Sequence, residues 1–414
     1  MKRIGILATL NTKGDEARFL AECIGSRGHT PVLFDLSLIR DSQSDAGDVS
    51  REAVARAADR TGAEVERLQR AEAMEVMAAG ARVLIGEMLQ RGELHAVVGI
   101  GGGTGTWMSA AVMDSLPIGF PKLVVSTLGS RTSHTDTTVM PSVADIAGLN
   151  SVLTPILANA AAAVSGMAEG VAAVRPKVDR PSIAMTMFGV TTRGGTYARQ
   201  FLEAAGCEVV VFHANGSGGA TMEDLIRRGT FVGVLDWTTT EVTDHLTGGV
   251  CDAGPYRLEA AGQAGLPQLI VPGAIDVINV GRGGIPKRWA RRVSHMHLPG
   301  VPLVRTSIRE SREIGGWIAE KLNRSTGAVR VLIPAGGYSA LDIRDGPFWD
   351  PSADEAFVLA LRKDLRPDIA IEVSPHHIND EAFARQAAEA LLGLGVARSS
   401  ASLPREDLVT SSTY

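Results

Sequence analysis

Short apolar runs alternate along this chain with stretches whose apolar positions recur at helical spacing. In the first half the runs at 3–10, 31–36, 96–100 and 122–127 read as buried strands, since each is brief and bounded by polar or glycine-containing turns. Between them the spacing predicts a helix over 15–26, with Phe19, Leu20 and Cys23 on one side. It also predicts a long helical region over 51–91 with breaks near Gly62 and Gly80, and helices over 107–116 and 143–167. Strands alternating with helices imply parallel pairing and a layered α/β fold. The segment 171–181, with Pro176, Lys177, Asp179 and Arg180, reads as a connection. The pattern then restarts, with strands expected at 182–188, 208–213, 231–236, 268–271, 330–333 and 369–373. Two domains are expected, 1–175 and 181–396, followed by a serine-rich loose tail, 397–414.

The halves echo one another. "TKGDEARFL" near the start resembles "TRGGTYARQFL" after Thr192, and each is followed by a glycine and an apolar strand. Two related α/β halves would produce this echo, and so would any two β-α-β units.

Glycine-rich stretches follow several of the expected strands. The first is Gly101-Gly102-Gly103-Thr104-Gly105-Thr106, between a strand and a helix. Backbone amides at a helix N-terminus, cleared of Cβ atoms, can converge on a phosphate, and the helix dipole favours the negative charge. Thr104 and Thr106 would add hydroxyls. The stretch fits neither the dinucleotide pattern GxGxxG nor the P-loop, which requires lysine where Thr106 stands. Anion binding and tight packing both remain open for it. A second stretch, "FHANGSGGATMEDL", places Gly216, Ser217, Gly218 and Gly219 where a substrate could be held. "PAGGYSALD" and "GRGGIPKRW" are a third and a fourth, the last carrying Arg282, Lys287 and Arg288. In an open parallel sheet such loops gather along the carboxyl edge of the strands, where ligands bind.

Candidate chemistry concentrates in the second half. "LDWTTTEVTDHL" sets Asp236 and Glu241 just after a strand, with Thr239 and Thr240 between them. Such carboxylates can act as a general base or hold Mg²⁺, and the threonines can bind an oxyanion or sugar hydroxyls. Glu241 is equally suited to the start of a helix. His213 ends a strand before a glycine loop, as an acid/base histidine would or as an edge residue would. Arg257 reads as a carboxylate or phosphate clamp, or as a solvated helix arginine. Asp276 and Asn279 follow a strand, where polar residues are costly unless paired, so both are candidate site residues. Cys251 has no evident base nearby and reads as a core thiol. His295 and His297 have metal-ligand spacing, and His376-His377 forms another small cluster read mainly as surface; no metal set is assigned.

Composition narrows the partners. A net charge of −5 offers no basic footprint, which argues against nucleic acid. No apolar run reaches the length of a membrane span, and the brief apolar N-terminus reads as a first strand rather than a leader. Cys23, Cys207 and Cys251 make no disulfide framework, so a cytoplasmic protein is expected.

Nine stretches in order carry a family resemblance: "LNTKGDEARFL", "GIGGGTGT", "PKLVVST", "SVADIAGLN", "FHANGSGG", "LDWTTTEV", "GGVCDAGPYRLEAAG", "VPGAIDVINVG" and "LIPAGGYSALD". Together they resemble the Tm-1-like ATP-binding family, also catalogued as UPF0261, from the N-terminus to about Leu392. The resemblance implies an α/β fold of two Rossmann-like domains, each a mostly parallel sheet flanked by helices. It also implies a homodimer and ATP as cofactor, with Mg²⁺ as its possible companion. At matching positions the nucleotide contacts would be Thr12, Lys13, Gly101, Gly102, Gly103, Thr104, Ser126 and Thr127. A plant member inhibits viral RNA replication, whereas bacterial members generally lack an assigned reaction. This chain departs from the family in carrying Asn11 where aspartate is usual. It also has a shorter loop after Thr127, which brings Arg131 and His134.

Three functions fit these residues. The first is an ATP-binding protein acting on a small acidic metabolite as a kinase, ligase or hydrolase, with Glu241, His213, Asp236, Asp276 and Arg257 supplying the chemistry. The second is an ATP-independent hydrolase or lyase using the glycine loops for its substrate's phosphate or carboxylate. The third is a nucleotide-responsive regulatory protein.

Overall fold

The computed structural model describes residues 1–40, 47–128, 135–170 and 180–396. The connection at 171–179, the loop bearing Arg131 and His134, and the tail from 397 lie outside the described residues. The chain divides into two compact units, one on each side of the segment around Pro176.

The N-terminal unit contains β1 (Arg3–Ala8), α1 (Leu10–Gly25), β2 (Thr30–Asp35), α2 (Arg51–Ala57), α3 (Gly62–Arg67) and α4 (Arg70–Gln90). It continues with β3 (Ala96–Gly101), α5 (Gly103–Met113), β4 (Lys122–Ser126), β5 (Thr138–Pro141) and α6 (Leu153–Gly170). Its five strands are parallel and ordered β2-β1-β3-β4-β5. Residues of β1 and β3 such as Ile4, Ile6 and Val98 pack with α1 and α6 on one face. Leu7, Val97 and Val124 pack with α2, α4 and α5 on the other. The strands are buried on both faces, which is why they appear in the sequence as unbroken apolar runs.

Gly80 does not break a helix. It lies within α4, where a Cβ would overlap the carbonyl oxygen of Val54 in α2, so its missing side chain lets the two helices touch. Gly62 opens α3, whose N-terminus is fixed by a Thr61–Glu64 capping box. The breaks in the long helical region fall at 58–61 and 68–69.

The C-terminal unit runs through β6 (Ser182–Met187), α7 (Thr192–Ala204), β7 (Glu208–His213), α8 (Ser217–Arg227), β8 (Gly233–Thr238), α9 (Thr240–Thr247), α10 (Ala260–Gln263) and β9 (Gln268–Gly273). A short arm follows, formed by β10 (Val277–Asn279), β11 (Ser294–Leu298) and β12 (Val301–Arg305). The unit ends with α11 (Ile308–Asn323), β13 (Val329–Pro334), α12 (Pro351–Asp364), β14 (Ala370–Ser374) and α13 (Glu381–Gly393). Six parallel strands are ordered β14-β13-β9-β8-β6-β7, and the arm is an antiparallel sheet, β10-β12-β11. Helices α7 and α13 cover one face, while α9, α11 and α12 share a second cluster with β9 and β13.

Counted from its own first strand, each unit has the order 2-1-3-4-5, with a sixth strand added in the second. Each therefore reverses direction between its first and third strands, the place where ligands bind in open α/β sheets. The echoing segments fall on equivalent elements, α1 with β2 and α7 with β7. The glycine stretch after β3 is matched in position by "TTTE" after β8, not by the glycine stretch after β7.

Candidate functional site

The helix N-termini at the carboxyl edges of the two sheets differ in what meets their amides. At α1, the Leu10 amide donates to Asp35 Oδ1 at 3.2 Å, and the Asn11 amide to Ser37 Oγ at 3.1 Å. Thr12 and Lys13 bond back to the Thr9 carbonyl. At α8, the Gly216 and Gly219 amides donate to Glu241 Oε1 at 2.7 and 3.0 Å. The chain supplies its own carboxylate to each of these helices.

At α5 it does not. The Gly103, Thr104 and Gly105 amides meet no acceptor among the described residues. A Cβ on Gly103 would touch nothing within 4 Å, and one on Gly102 would only approach Thr127 Oγ1 at 3.7 Å. Gly101 and Gly105 serve packing instead, since a Cβ on Gly101 would lie 2.6 Å from Gly105 Cα. The loop is thus tight at its two ends and open in the middle.

Other groups border this opening. Thr127 follows β4 and its amide donates to the Gly101 carbonyl at 3.4 Å. Ser126 is buried, with its hydroxyl on Thr106 Oγ1 at 2.9 Å, so it braces the loop from beneath. Thr12 is exposed in the first turn of α1, its hydroxyl paired with Thr9 Oγ1 at 2.9 Å. Lys13 Nζ is spent on the Ile146 carbonyl. Arg70, at the start of α4, donates to Thr104 Oγ1 at 2.6 Å and has no carboxylate partner among the described residues. Sequence reasoning missed Arg70, because 34 positions separate it from Thr104 and no local pattern marks it.

In the C-terminal unit three of the five expected catalytic residues, Asp236, Glu241 and Arg257, are drawn into a closed ionic cluster, which neither His213 nor Asp276 joins. Arg257 is fully buried and binds Asp236 bidentately, with Nη1 and Nη2 at 2.6 and 2.7 Å. Its Nε donates to Glu241 Oε2 at 2.8 Å, and Nη1 also faces Glu223 at 3.3 Å. Burial raises the pKa of Glu241 and Glu223, while Arg257 lowers it. Burial also disfavours the charged guanidinium, yet the surrounding carboxylates outweigh it and hold Arg257 above its ordinary range. Gly216, Gly218 and Gly219 are consumed by this packing: a Cβ would meet the Asp252 carbonyl, the His213 carbonyl and the Glu241 carboxylate respectively. The expectation of a substrate cradle here gives way to a loop wrapped around Glu241. Ser217 contacts Asn215 at 3.1 Å, and His213 is exposed and stacked on Phe188 with ring centroids 5.4 Å apart.

Asp276 belongs to a second buried group. Ser339 donates to its Oδ2 at 2.6 Å, while its Oδ1 and the Oδ1 of Asp342 are buried without a partner among the described residues. Burial, followed by the Asp342 carboxylate, raises Asp276 to about 7. Arg305 pairs with Asp354 at 2.7 Å beside them, and burial followed by Asp342 raises Asp354 to about 8. His377 joins this group rather than the surface, with Nε2 on the Ser339 carbonyl at 2.9 Å. Thr239, Thr240 and Asn279 are buried at the α9–β10 junction, where Asn279 Nδ2 donates to Thr240 Oγ1 at 3.1 Å. Asp244, unsuspected from sequence, accepts the Asn279 amide at 2.9 Å and the Cys251 amide at 2.7 Å. Among the described residues no group of three or more His, Cys, Asp or Glu side chains could hold a metal ion, and no helix is long and apolar enough to cross a membrane.

The fold defines a two-domain α/β protein of Rossmann-like units, with an open helix N-terminus at the switch point of the first. Residues 2–173 match the N-terminal domain and residues 180–395 the C-terminal domain of the uncharacterised protein family UPF0261, to which the chain belongs. It is 38% identical over 400 residues to a UPF0261 protein of Clostridium tetani (strain Massachusetts / E88), covering 95% of this chain and 99% of that one. It is 41% identical to a UPF0261 protein of Rhizobium meliloti (strain 1021), covering 94% and 98%. The ToMV susceptible protein tm-1(GCR26) of Solanum lycopersicum is 33% identical over 94% of this chain, which spans 55% of the tomato protein. A Streptomyces glycosyltransferase solved with thymidine diphosphate aligns with a TM-score of 0.16 at 13% identity, too low to bear on the argument.

Proposed function

We propose that the N-terminal unit binds ATP through its phosphates at the N-terminus of α5, and that the protein acts on a small acidic metabolite. The carrying observation is the contrast among helix ends: α1 and α8 meet carboxylates of the chain itself, while the first-turn amides of α5 are unclaimed among the described residues. Gly102 and Gly103 leave the room a phosphate oxygen needs. Arg70, Thr104 and Thr127 bring a guanidinium and hydroxyls to the same place. A phosphate at such a position gains about 0.3–1 kcal/mol from the helix dipole, rising to about 2 where partly buried. Direct amide and guanidinium hydrogen bonds add to this. Mg²⁺, where it accompanies ATP, would be held by phosphate oxygens and water.

This reading moves Glu241, Asp236 and Arg257 from chemistry to architecture, since each is buried and engaged by the others. Thermal denaturation with ATP, ADP, NAD and a panel of sugar acids tests it. A ligand at a hundredfold excess over its Kd stabilises the native state by about 2.7 kcal/mol. ATP and ADP are expected to raise the melting temperature of the wild type. Gly103→Val is expected to fold normally and lose the response. An unchanged melting temperature with millimolar ATP would remove ATP from the account.

A further inference from the structure

The C-terminal unit carries a depression of about 340 Å³ between the end of α9 and the arm, bordered by Val250, Asn279, Val280, Ile285, Arg288 and Trp289. We infer that this depression binds a small organic carboxylate with an apolar body. The inference gives a location to the acidic metabolite of the proposed function, and it does not depend on ATP binding in the other unit.

Among the described residues, Arg288 is the only charged side chain on the lining. Its guanidinium lies 4.1 Å from the centroid of the Trp289 ring, and one nitrogen donates to the Gly248 carbonyl at 2.9 Å. Stacked and tethered in this way it has lost much of its freedom before any ligand arrives, which lowers the cost of binding. No carboxylate lies within ion-pair distance of it among the described residues. Its remaining donors suit the two oxygens of a carboxylate. The Gly281 and Gly283 amides have no acceptor among the described residues, and a Cβ on Gly283 would touch nothing within 4 Å.

Apart from Arg288 and Asn279, the side chains on the lining are apolar. Val280 and Trp289 belong to one small buried cluster with Ile278 and Val304, half-buried Ile285 packs against it, and Val250 stands at the rim. A single positive charge above an apolar floor matches a monocarboxylate better than a dianionic phosphate, which calls for more charge. The volume lies at the small end of ligand sites.

The walls are fixed from below. Asp244 accepts the amides of Asn279 and Cys251, and the Val250 amide donates to the Asn279 carbonyl at 3.0 Å. The two backbone segments that flank the depression are thereby joined without any ligand.

Benzoate is the probe. Isothermal titration of the full chain is expected to show saturable binding of benzoate, with a parallel change in Trp289 fluorescence that disappears in Trp289→Phe. Benzylamine and inorganic phosphate are expected to give neither. Arg288→Met is exposed and should fold; it is expected to weaken benzoate binding by about tenfold or more, the scale of a charge-assisted hydrogen bond. Val250→Trp keeps the arginine but fills the space, and is expected to abolish binding. Both variants should respond to ATP as the wild type does, and Gly103→Val should still bind benzoate. Equal binding by Arg288→Met, or binding that survives Val250→Trp, would overturn the assignment, as would a wild type that does not saturate. Phosphate binding that competes with benzoate would overturn the choice of a carboxylate.

Discussion

A side chain at Gly101 would lie 2.6 Å from Gly105 Cα, whereas one at Gly103 would project into open space. Two glycines in the same loop therefore make opposite predictions. Gly101→Ala should lower the melting temperature, because the loop must part from the helix it packs on, an overpacking cost of about 1–3 kcal/mol. Gly103→Val should leave the melting temperature near that of the wild type and change only ligand binding. Differential scanning calorimetry on the two variants checks the contrast, and a reversed order would contradict it. Asp276 and Asp354 give a second residue-scale prediction. Burial, followed by Asp342, raises them to about 7 and about 8 from 3.8, so the folded protein holds protons that the unfolded chain releases. That contribution is complete below the unfolded pKa and is lost as pH rises through the folded values, at about 1.4 kcal/mol per pH unit for each proton. Stability measured in urea should fall between about pH 4 and 8, and Asp276→Asn should flatten the fall. An unaltered slope in that variant would show that Asp276 does not hold the proton. Sequence could nominate Asp276 by its place after a strand and Arg257 as a clamp for a carboxylate or phosphate. It could not tell a buried ion group from an open site, because burial there depends on partners such as Glu223 and Asp342 that lie far along the chain.

The elements most legible in the sequence are those buried on both sides. β1, β3, β4 and β9 are mainly apolar runs because helices cover both faces of the sheets. The expected strands omit β5, β10, β11 and β12: β5 is short and half-exposed, β11, "SHMHL", is exposed throughout, and β10 and β12 are short, largely buried pieces of the antiparallel arm. α5 starts at Gly103 and not at the expected Trp107, because glycines are poor helix formers and hide its first turn. Gly80 was read as a break because its role is a contact with α2, which no local pattern reports. At this scale the Arg257 cluster joins α8, β8 and α9 to the segment before α10. Removing one partner of a buried ion group costs about 3–5 kcal/mol, so Arg257→Met should be strongly destabilised in chemical denaturation. A variant that melts like the wild type would refute the structural role given to this cluster.

In the whole molecule the same strand order occurs twice, yet the two switch points are furnished differently. The first has a glycine loop whose amides are unclaimed among the described residues, the second has "TTTE" turned inward, with Glu241 directed at Arg257 and the α8 amides. Family membership fixes the two-domain fold across nearly the whole chain, and the residue-level division of labour rests on these contacts. If each unit has its own ligand, the stabilisation by ATP and by benzoate should add, since independent sites on one native state contribute separately. A combined shift equal to the larger single shift would point to one shared site.

The central claim concerns particular backbone amides, and amide-resolved nuclear magnetic resonance of the full chain titrated with ATP observes them directly. The account predicts that the Gly103, Thr104 and Gly105 amides shift most among the described residues, while the Gly216 and Gly219 amides, already bound to Glu241, stay in place. Saturable ATP binding that leaves the first turn of α5 unmoved would contradict it.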